Sequence, residues 1–357
     1  MKKRSNALIL ACLPVIGVLI LLGMGIPQRV LPAVHVGNHS YTIAEYNFYH
    51  YEAYSAFVTA HREELDELGL DINSRLKGQQ YDADTTWAEY FRAQALDDMQ
   101  EYEILCAAAN ADGFDASAAV AANAALQERL LREYCVMNNV TQVSSYLTGV
   151  YDAGMTEETF YAQQARRTKA LAYRDEALMP ALIPDEAAVA AYAAGLSGED
   201  YPTANLVVCY FATATDRQTG EREARQWENA QYKAEQALLR ATEQGGGLDA
   251  FCAVAGAYSD LDDEAAPDGR YTGLTHGDLV DTALLDWVFD DARKSGDSAV
   301  LRGSTGCYLL YFDGWGESSL TVQARQELTQ RNYADWLDAH KGDYAVRTNA
   351  VSMQIAR

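Results

Sequence analysis

The chain has 357 residues, 51 acidic and 28 basic, and a formal charge of −23. Such a surface repels nucleic acid and anionic lipid headgroups, so nucleic-acid binding is excluded as a reading. The six cysteines are widely spaced and no two of the six histidines form a ligand pair on a long helix; with no CxxC, zinc spacing, Walker loop, G-x-S-x-G or H-E-x-x-H, nothing calls for a metal or cofactor.

Residues 7–26, ALILACLPVIGVLILLGMGI, carry no charge and follow directly on Lys2, Lys3 and Arg4. At about 1.5 Å per helical residue this segment reaches across a hydrocarbon core of about 30 Å. The preceding cations, with only Arg29 close behind, place the N-terminus in the cytoplasm and the bulk of the chain outside, as a single-pass anchor. Pro14 is compatible with a membrane helix. A cleaved signal peptide stays open, although its apolar core is usually shorter and no A-x-A follows; so does a lipoprotein reading through Ile9-Leu10-Ala11-Cys12. Beyond the anchor remain about 330 residues, enough for two domains. Without Lys2, Lys3 and Arg4 their formal charge is −26, suited to solubility and to basic or unfolded polypeptide partners.

Residues 33–37 predict a short strand ending in a turn at Gly37-Asn38. Thr42 with Glu45 is a capping-box pair that starts a tyrosine-rich helix through about His61. Residues 63–84 are polar and irregular. From Thr86, the spacing of Trp87, Phe91, Ala95, Met99, Tyr102 and Cys106 predicts a long helix with one buried face, ended by Gly113. Ser117 is expected to cap a further helix to about Asn138. A short helix is expected at Val143–Val150, and another starts in 154–158 and runs to about Met179. These stripes are core by default; such an array can also offer a concave apolar surface to unfolded chains.

The character changes at Pro180 and Pro184. Asp185–Gly195 reads as a short connecting helix, and Asn205–Ala212, with LVVCYF at its centre, as a buried strand. Arg222–Gln244 is a long polar helix stopped by three glycines, and Leu248–Tyr258 an apolar one. Ser259–Gly273 reads as an acidic loop, Asp281–Ala292 as helix, and Cys307–Phe312 as a second buried strand. This order describes a small α+β domain with an antiparallel sheet. A helix at Thr321–His340 and an alternating strand at Tyr344–Ile355 are expected to fold back on the N-terminal part. Most cysteines sit in apolar contexts and are expected as buried thiols, with Cys209–Cys307 or Cys106–Cys135 bridges left open.

Region 200–316 resembles the parvulin family of peptidyl-prolyl isomerases. The resemblance rests on Phe251-Cys252-Ala253-Val254-Ala255-Gly256-Ala257-Tyr258-Ser259-Asp260 after Gly247, and on Gly269 and Gly273. It is continued by Trp287-Val288-Phe289 with Gly296-Asp297, and by Gly306-Cys307-Tyr308-Leu309-Leu310. Upstream, Trp87 with Tyr90-Phe91, the Val140–Tyr146 turn and Met155-Thr156-Glu157-Glu158-Thr159-Phe160 resemble the N-terminal chaperone domain of extracytoplasmic foldases of the PrsA/SurA type. The implied architecture is α+β. It comprises an anchor (1–30), a helical chaperone-like domain (31–184), an inserted parvulin-like domain (185–318) and a C-terminal helix and strand packing back on the first domain (319–357).

The resemblance implies a peptide-binding groove of Leu206, Asp260, Leu261, Leu279, Phe289 and Tyr308, and no cofactor. Active parvulins carry a histidine where this chain has Leu206 and another where it has Tyr308. The residue after Tyr-Ser-x is Leu261, unless a one-residue slip brings in Asp262. The groove methionine becomes Leu279, and the following phenylalanine position falls near Ala283. Leu206 cannot join a polar network, whereas Tyr308 can still donate one hydrogen bond and is the single catalytic candidate. The reading is a membrane-anchored foldase or chaperone for unfolded, translocating polypeptides, with isomerase activity weakened or absent. An active parvulin-type isomerase and a non-catalytic anchored scaffold are the alternatives.

Overall fold

A computed structural model of the chain describes residues 25–213, 224–261, 263, 265–279 and 281–356. The expected anchor at 7–26 lies outside the described residues except for its last two positions. Among the described residues no helix is long and apolar enough to cross a membrane. The architecture is α+β with small antiparallel sheets, and the chain falls into two compact units, divided after Ile183 and again before Arg331.

The first unit takes the described residues up to Ile183 together with those from Arg331 onward. Helix α1 (Ile26–Val30) leads into the hairpin β1 (Pro32–Val36) and β2 (His39–Thr42). Helix α2 (Ile43–Ala60) starts at the expected box: Thr42 Oγ1 accepts from the Glu45 amide while Glu45 accepts from the Thr42 amide at 2.7 Å. Thr86 and Glu89 repeat the device at the head of α3 (Trp87–Ala111). Then come α4 (Ser117–Met137), α5 (Val143–Tyr151) and α6 (Glu157–Tyr173), whose path continues through a π-helical turn at Arg174–Leu178. The α3 stripe is buried as its spacing predicts, with Tyr102 half-buried. Tyr41, Tyr46, Phe48 and Tyr49 are fully buried too, and two of their hydroxyls have partners. Tyr41 donates to Glu103 at 2.7 Å and Tyr49 to Gln163 at 3.0 Å. Tyr41 and Tyr49 are therefore core residues with satisfied hydroxyls.

The C-terminal strand β7 (Val346–Thr348) pairs with β1, Val34 opposite Thr348 and Val36 opposite Val346, completing a sheet in the order β2-β1-β7. The last six residues of the expected 344–355 strand are instead a helix, α12 (Ala350–Ile355). Asn349 starts it by accepting from the amides of Val351 and Ser352, which overrides the alternating pattern. Ser117 is not a cap: its amide donates to Asp115 Oδ1 at 2.9 Å, so Asp115 secures the start of α4.

The second unit, Pro184–Gln330, begins with α7 (Glu186–Ala193) and is built on a four-stranded antiparallel sheet ordered β4-β3-β6-β5. Its strands are β3 (Pro202–Ala212), β4 (Arg270–Leu274), β5 (Ser298–Arg302) and β6 (Gly306–Ser318). Successive strand residues face opposite ways. Val207, Cys209 and Phe211 with Cys307, Leu309 and Tyr311 pack under α8 (Ala224–Glu243) and α9 (Leu248–Tyr258). Helix α8 presents Ala230, Ala234, Ala237 and Ala241, a stripe of small side chains that lets it lie close to the strands. At Gly269, φ is +69° and a Cβ would come within 2.4 Å of the Val208 carbonyl oxygen, so only glycine lets the chain approach β3 here.

Strands β4 and β5 were hidden in what reads as loop. Both are short, and both are edges of the sheet. Helix α10 (Thr282–Val288) is shorter than the expected Asp281–Ala292, since Asp290 turns the chain back through the Ala292 and Arg293 amides. Helix α11 (Ser319–Lys341) ends the unit and enters the other at Arg331. Cys106, Cys135, Cys209 and Cys307 are buried thiols, and Cys252 is a half-buried one.

Candidate functional site

The sheet face turned away from α8 and α9 carries the alternate residues of the same strands. Across the antiparallel pair β3–β6, Leu206 lies opposite Phe312, Val208 opposite Leu310 and Tyr210 opposite Tyr308. Ala204, Leu206, Val208, Leu310 and Phe312 form a buried floor, and Leu284 and Val288 of the short helix α10 cover part of it. The remaining border is half-buried: Leu279, Phe289 and Tyr308, joined by Tyr271 and Leu274 from the β4 side. Four of the six groove residues expected from the sequence, Leu206, Leu279, Phe289 and Tyr308, thus share one apolar cluster.

They do not play the same part. Leu206 has no exposed surface and serves as floor. Tyr308 lies with its ring 4.8 Å from Tyr210, whose hydroxyl donates to Thr305 Oγ1 at 2.9 Å. Burial pushes the Tyr308 hydroxyl above its usual range, so it is a neutral donor at physiological pH. Asp260 and Leu261 lie outside this cluster. The Asp260 amide donates to the Tyr210 carbonyl at 2.7 Å and its carboxylate accepts from the Ala212 amide at 3.0 Å, with Lys233 of α8 3.9 Å away. Asp260 thereby pins the end of β3, and Leu261 beside it is 43% exposed. Asp262 lies outside the described residues, and Ala283 is exposed on α10.

Sequence reasoning passed over an aromatic row at the border. His276 stacks flat on Tyr201, with ring centres 3.8 Å apart and planes 8° apart. Phe289 meets His276 edge-on at 4.2 Å. Trp315, 37% exposed, lies 6.1 Å from Phe289 and 4.9 Å from the floor residue Phe312. The Tyr201 hydroxyl accepts from the His276 amide at 3.2 Å, which fixes the stack. The available signal was that His276 is the sole histidine between residues 184 and 330.

Chemically, this arrangement offers an apolar floor, aromatic faces and one neutral hydroxyl. It has the means to hold a proline ring or an aromatic side chain against the sheet. It brings together no nucleophile with a base. Among the described residues no group of three or more His, Cys, Asp or Glu side chains is placed to hold a metal ion.

No family model and no curated protein matches the chain. Solved structures do. PrsA from Bacillus subtilis is similar over 76% of this chain and 86% of its own, with 14% identity and a TM-score of 0.36. The foldase protein PrsA from Streptococcus pneumoniae is similar over 69% of this chain and 83% of its own, with 15% identity and a TM-score of 0.27. A Campylobacter jejuni structure, described with PEB4 and Cj1289 as SurA-like chaperones, is similar over 61% of this chain and 82% of its own, with 15% identity and a TM-score of 0.23. These solved structures are foldases and chaperones of the PrsA/SurA kind.

Proposed function

We propose that the protein is a membrane-anchored extracytoplasmic foldase that binds unfolded, translocating polypeptides and has weakened or absent isomerase activity. The observation that carries this reading is the sheet face around Leu206. It combines a buried apolar floor, half-buried Leu279, Phe289 and Tyr308, and an aromatic border with exposed His276 and Trp315. Prolyl isomerisation takes about 10–100 s unaided and needs no nucleophile. It needs a surface that holds the proline ring and favours the twisted amide over the planar one. The apolar floor and its half-buried border support the apolar part of such a surface. Leu206, where the resemblance calls for a histidine, leaves its floor without an ionisable group. The anchor part of the proposal rests on residues 7–26 and on Lys2, Lys3 and Arg4.

The test is suppression of aggregation of a chemically denatured client by the full chain, run beside a proline tetrapeptide isomerisation assay. Suppression with isomerisation at the uncatalysed rate is the expected pair of results. Failure to suppress aggregation refutes the reading. The Tyr308 hydroxyl beside the Tyr210–Thr305 pair favours a second reading, a rebuilt isomerase site. In that case isomerisation is measurable and Tyr308→Phe lowers it.

A further inference from the structure

Between α2 and the segment 72–77, wholly within the first unit, lies a cleft of about 460 Å³. Tyr51 and Tyr54 of α2 and Ile72 and Leu76 of the segment supply its apolar walls; Arg75 and Lys77 supply its charge. The walls are firmly held. Tyr54 and Leu76 pack on buried Leu65, Leu70, Trp87 and Phe91, and the Tyr54 ring meets Phe91 edge-on at 5.4 Å. The segment is tied at its two ends. The Asp71 amide donates to Gln79 Oε1 at 2.7 Å, Gln79 Nε2 donates back to the Asp71 carbonyl at 2.9 Å, and the Ser74 hydroxyl donates to Asp71 Oδ2 at 2.5 Å.

The charge at this cleft runs against that of the whole molecule. In a chain of formal charge −23, no carboxylate lines it. Three other clefts among the described residues each include one or more: Asp260, Glu157 with Glu158, and Glu128 with Glu157. Arg75 and Lys77 are exposed, and neither joins an ion pair among the described residues. An aromatic socket with two uncommitted cations beside it matches a bulky apolar side chain that carries a carboxylate close to it. An acidic stretch of polypeptide would meet the repulsion of the surrounding surface, whereas a chain terminus brings a single negative charge.

We infer that this cleft captures the C-terminal residue of a client polypeptide, its apolar side chain against Tyr54 and Leu76 and its free carboxylate between Arg75 and Lys77. This deepens the foldase reading by naming the part of the client that is gripped, and it rests on that reading for the client itself.

The experiment measures fluorescence anisotropy of dye-labelled peptides titrated with the full chain. The probes are Gly-Ser-Gly-Ser-Leu-Phe as free acid, the same peptide as C-terminal amide, and an amidated Gly-Ser-Glu-Phe-Gly-Ser with an internal acid. The free acid is expected to bind at least tenfold more tightly than either of the others. The double variant Arg75→Gln, Lys77→Gln, in exposed positions, is expected to abolish that preference. Should the double variant fail to fold, the wild-type preference must shrink as salt is raised. Equal binding of acid and amide, no binding of any probe, better binding of the internal acid, a preference that survives in the folded double variant, or, where that variant does not fold, a preference that survives high salt overturns the inference. If any of these occurs while aggregation suppression persists, the inference fails and the foldase reading stands.

Discussion

The Tyr333 hydroxyl, on the last long helix, donates to Glu101 of α3 at 2.7 Å, joining two residues 232 positions apart in the chain. Tyr333 and Trp336 pack on the cluster of Leu105, Ala109, Ala170, Tyr173 and Leu178, while Asn332 donates to the Leu182 carbonyl at 2.8 Å. The C-terminal return is therefore bound to the first unit by apolar contact and by a charge-assisted hydrogen bond. Tyr333→Phe keeps the ring and removes only the bond, at a cost of about 1–2 kcal/mol. In a unit of this size that lowers the melting temperature by about 2–8 °C. Thermal unfolding followed by circular dichroism checks it, and an unchanged midpoint refutes the role given to the bond.

Asp98 lies in the same region and gives the unit a pH dependence of unusual sign. Its pKa is raised from the ordinary 3.8 to about 6, first by burial, then by Glu101, with Asp97 and Glu52 adding and Arg167 opposing. Between these two values the folded chain holds a proton that the unfolded chain has lost. Stability contributed by this group therefore falls as pH rises from about 4 to about 6, and is level above that. A shift of this size corresponds to about 3 kcal/mol, and partial exposure to solvent reduces it to about 1–2 kcal/mol. Asp98→Asn is expected to raise the urea midpoint at pH 7 and leave it unchanged at pH 3.5. Equal effects at both pH values would refute the assignment.

What could be read from the chain, and what could not, divides by range. Thr42 with Glu45 and Thr86 with Glu89 announce two helix starts because each cap is completed within three residues. LVVCYF and CYLLYF announce the central strands because both faces of those strands are buried, one under α8 and α9 and the other in the Leu206 cluster. Arg270–Leu274 and Ser298–Arg302 do not, since edge strands of five residues bury too little to leave a pattern. At the site, Leu279, Phe289 and Tyr308 were found through resemblance and do share a cluster. The Tyr201–His276 stack joins residues 75 positions apart, and the cleft by Arg75 joins a helix to an irregular segment. Neither has a local signature, because what defines each is a contact the chain makes only after folding.

Gly154 and Gly25 mark a point where two stretches of backbone touch. A Cβ on Gly154, where φ is +94°, would lie 2.5 Å from Gln28 Cβ and 2.9 Å from the Gly25 carbonyl oxygen. Both the conformation and the space exclude a side chain, so Gly154→Ala is expected to cost about 1–3 kcal/mol. Gly149, inside α5 with open space around it, is the control: Gly149→Ala is expected to stabilise by about 0.5–1 kcal/mol. Chemical denaturation of the two variants tests the contrast, and two effects of the same sign would refute it.

The restoration that the resemblance suggests, Leu206→His, is expected to fail for a physical reason. Leu206 is wholly buried between Ala204, Val208, Phe312, Leu284 and Val288. An imidazole placed there loses the leucine's apolar burial and brings two polar ring nitrogens against the apolar side chains of Ala204, Val208, Leu284, Val288 and Phe312. The combined cost is roughly 2–4 kcal/mol. A lone histidine also lacks the second one, since Tyr308 occupies that place with a hydroxyl that donates but does not titrate near neutral pH. The variant is therefore expected to melt several degrees lower and to leave the tetrapeptide isomerisation rate where the parent has it. A Leu206→His chain with undiminished stability and new isomerase activity would mean that the floor is open to water and to substrate, contrary to the complete burial of Leu206.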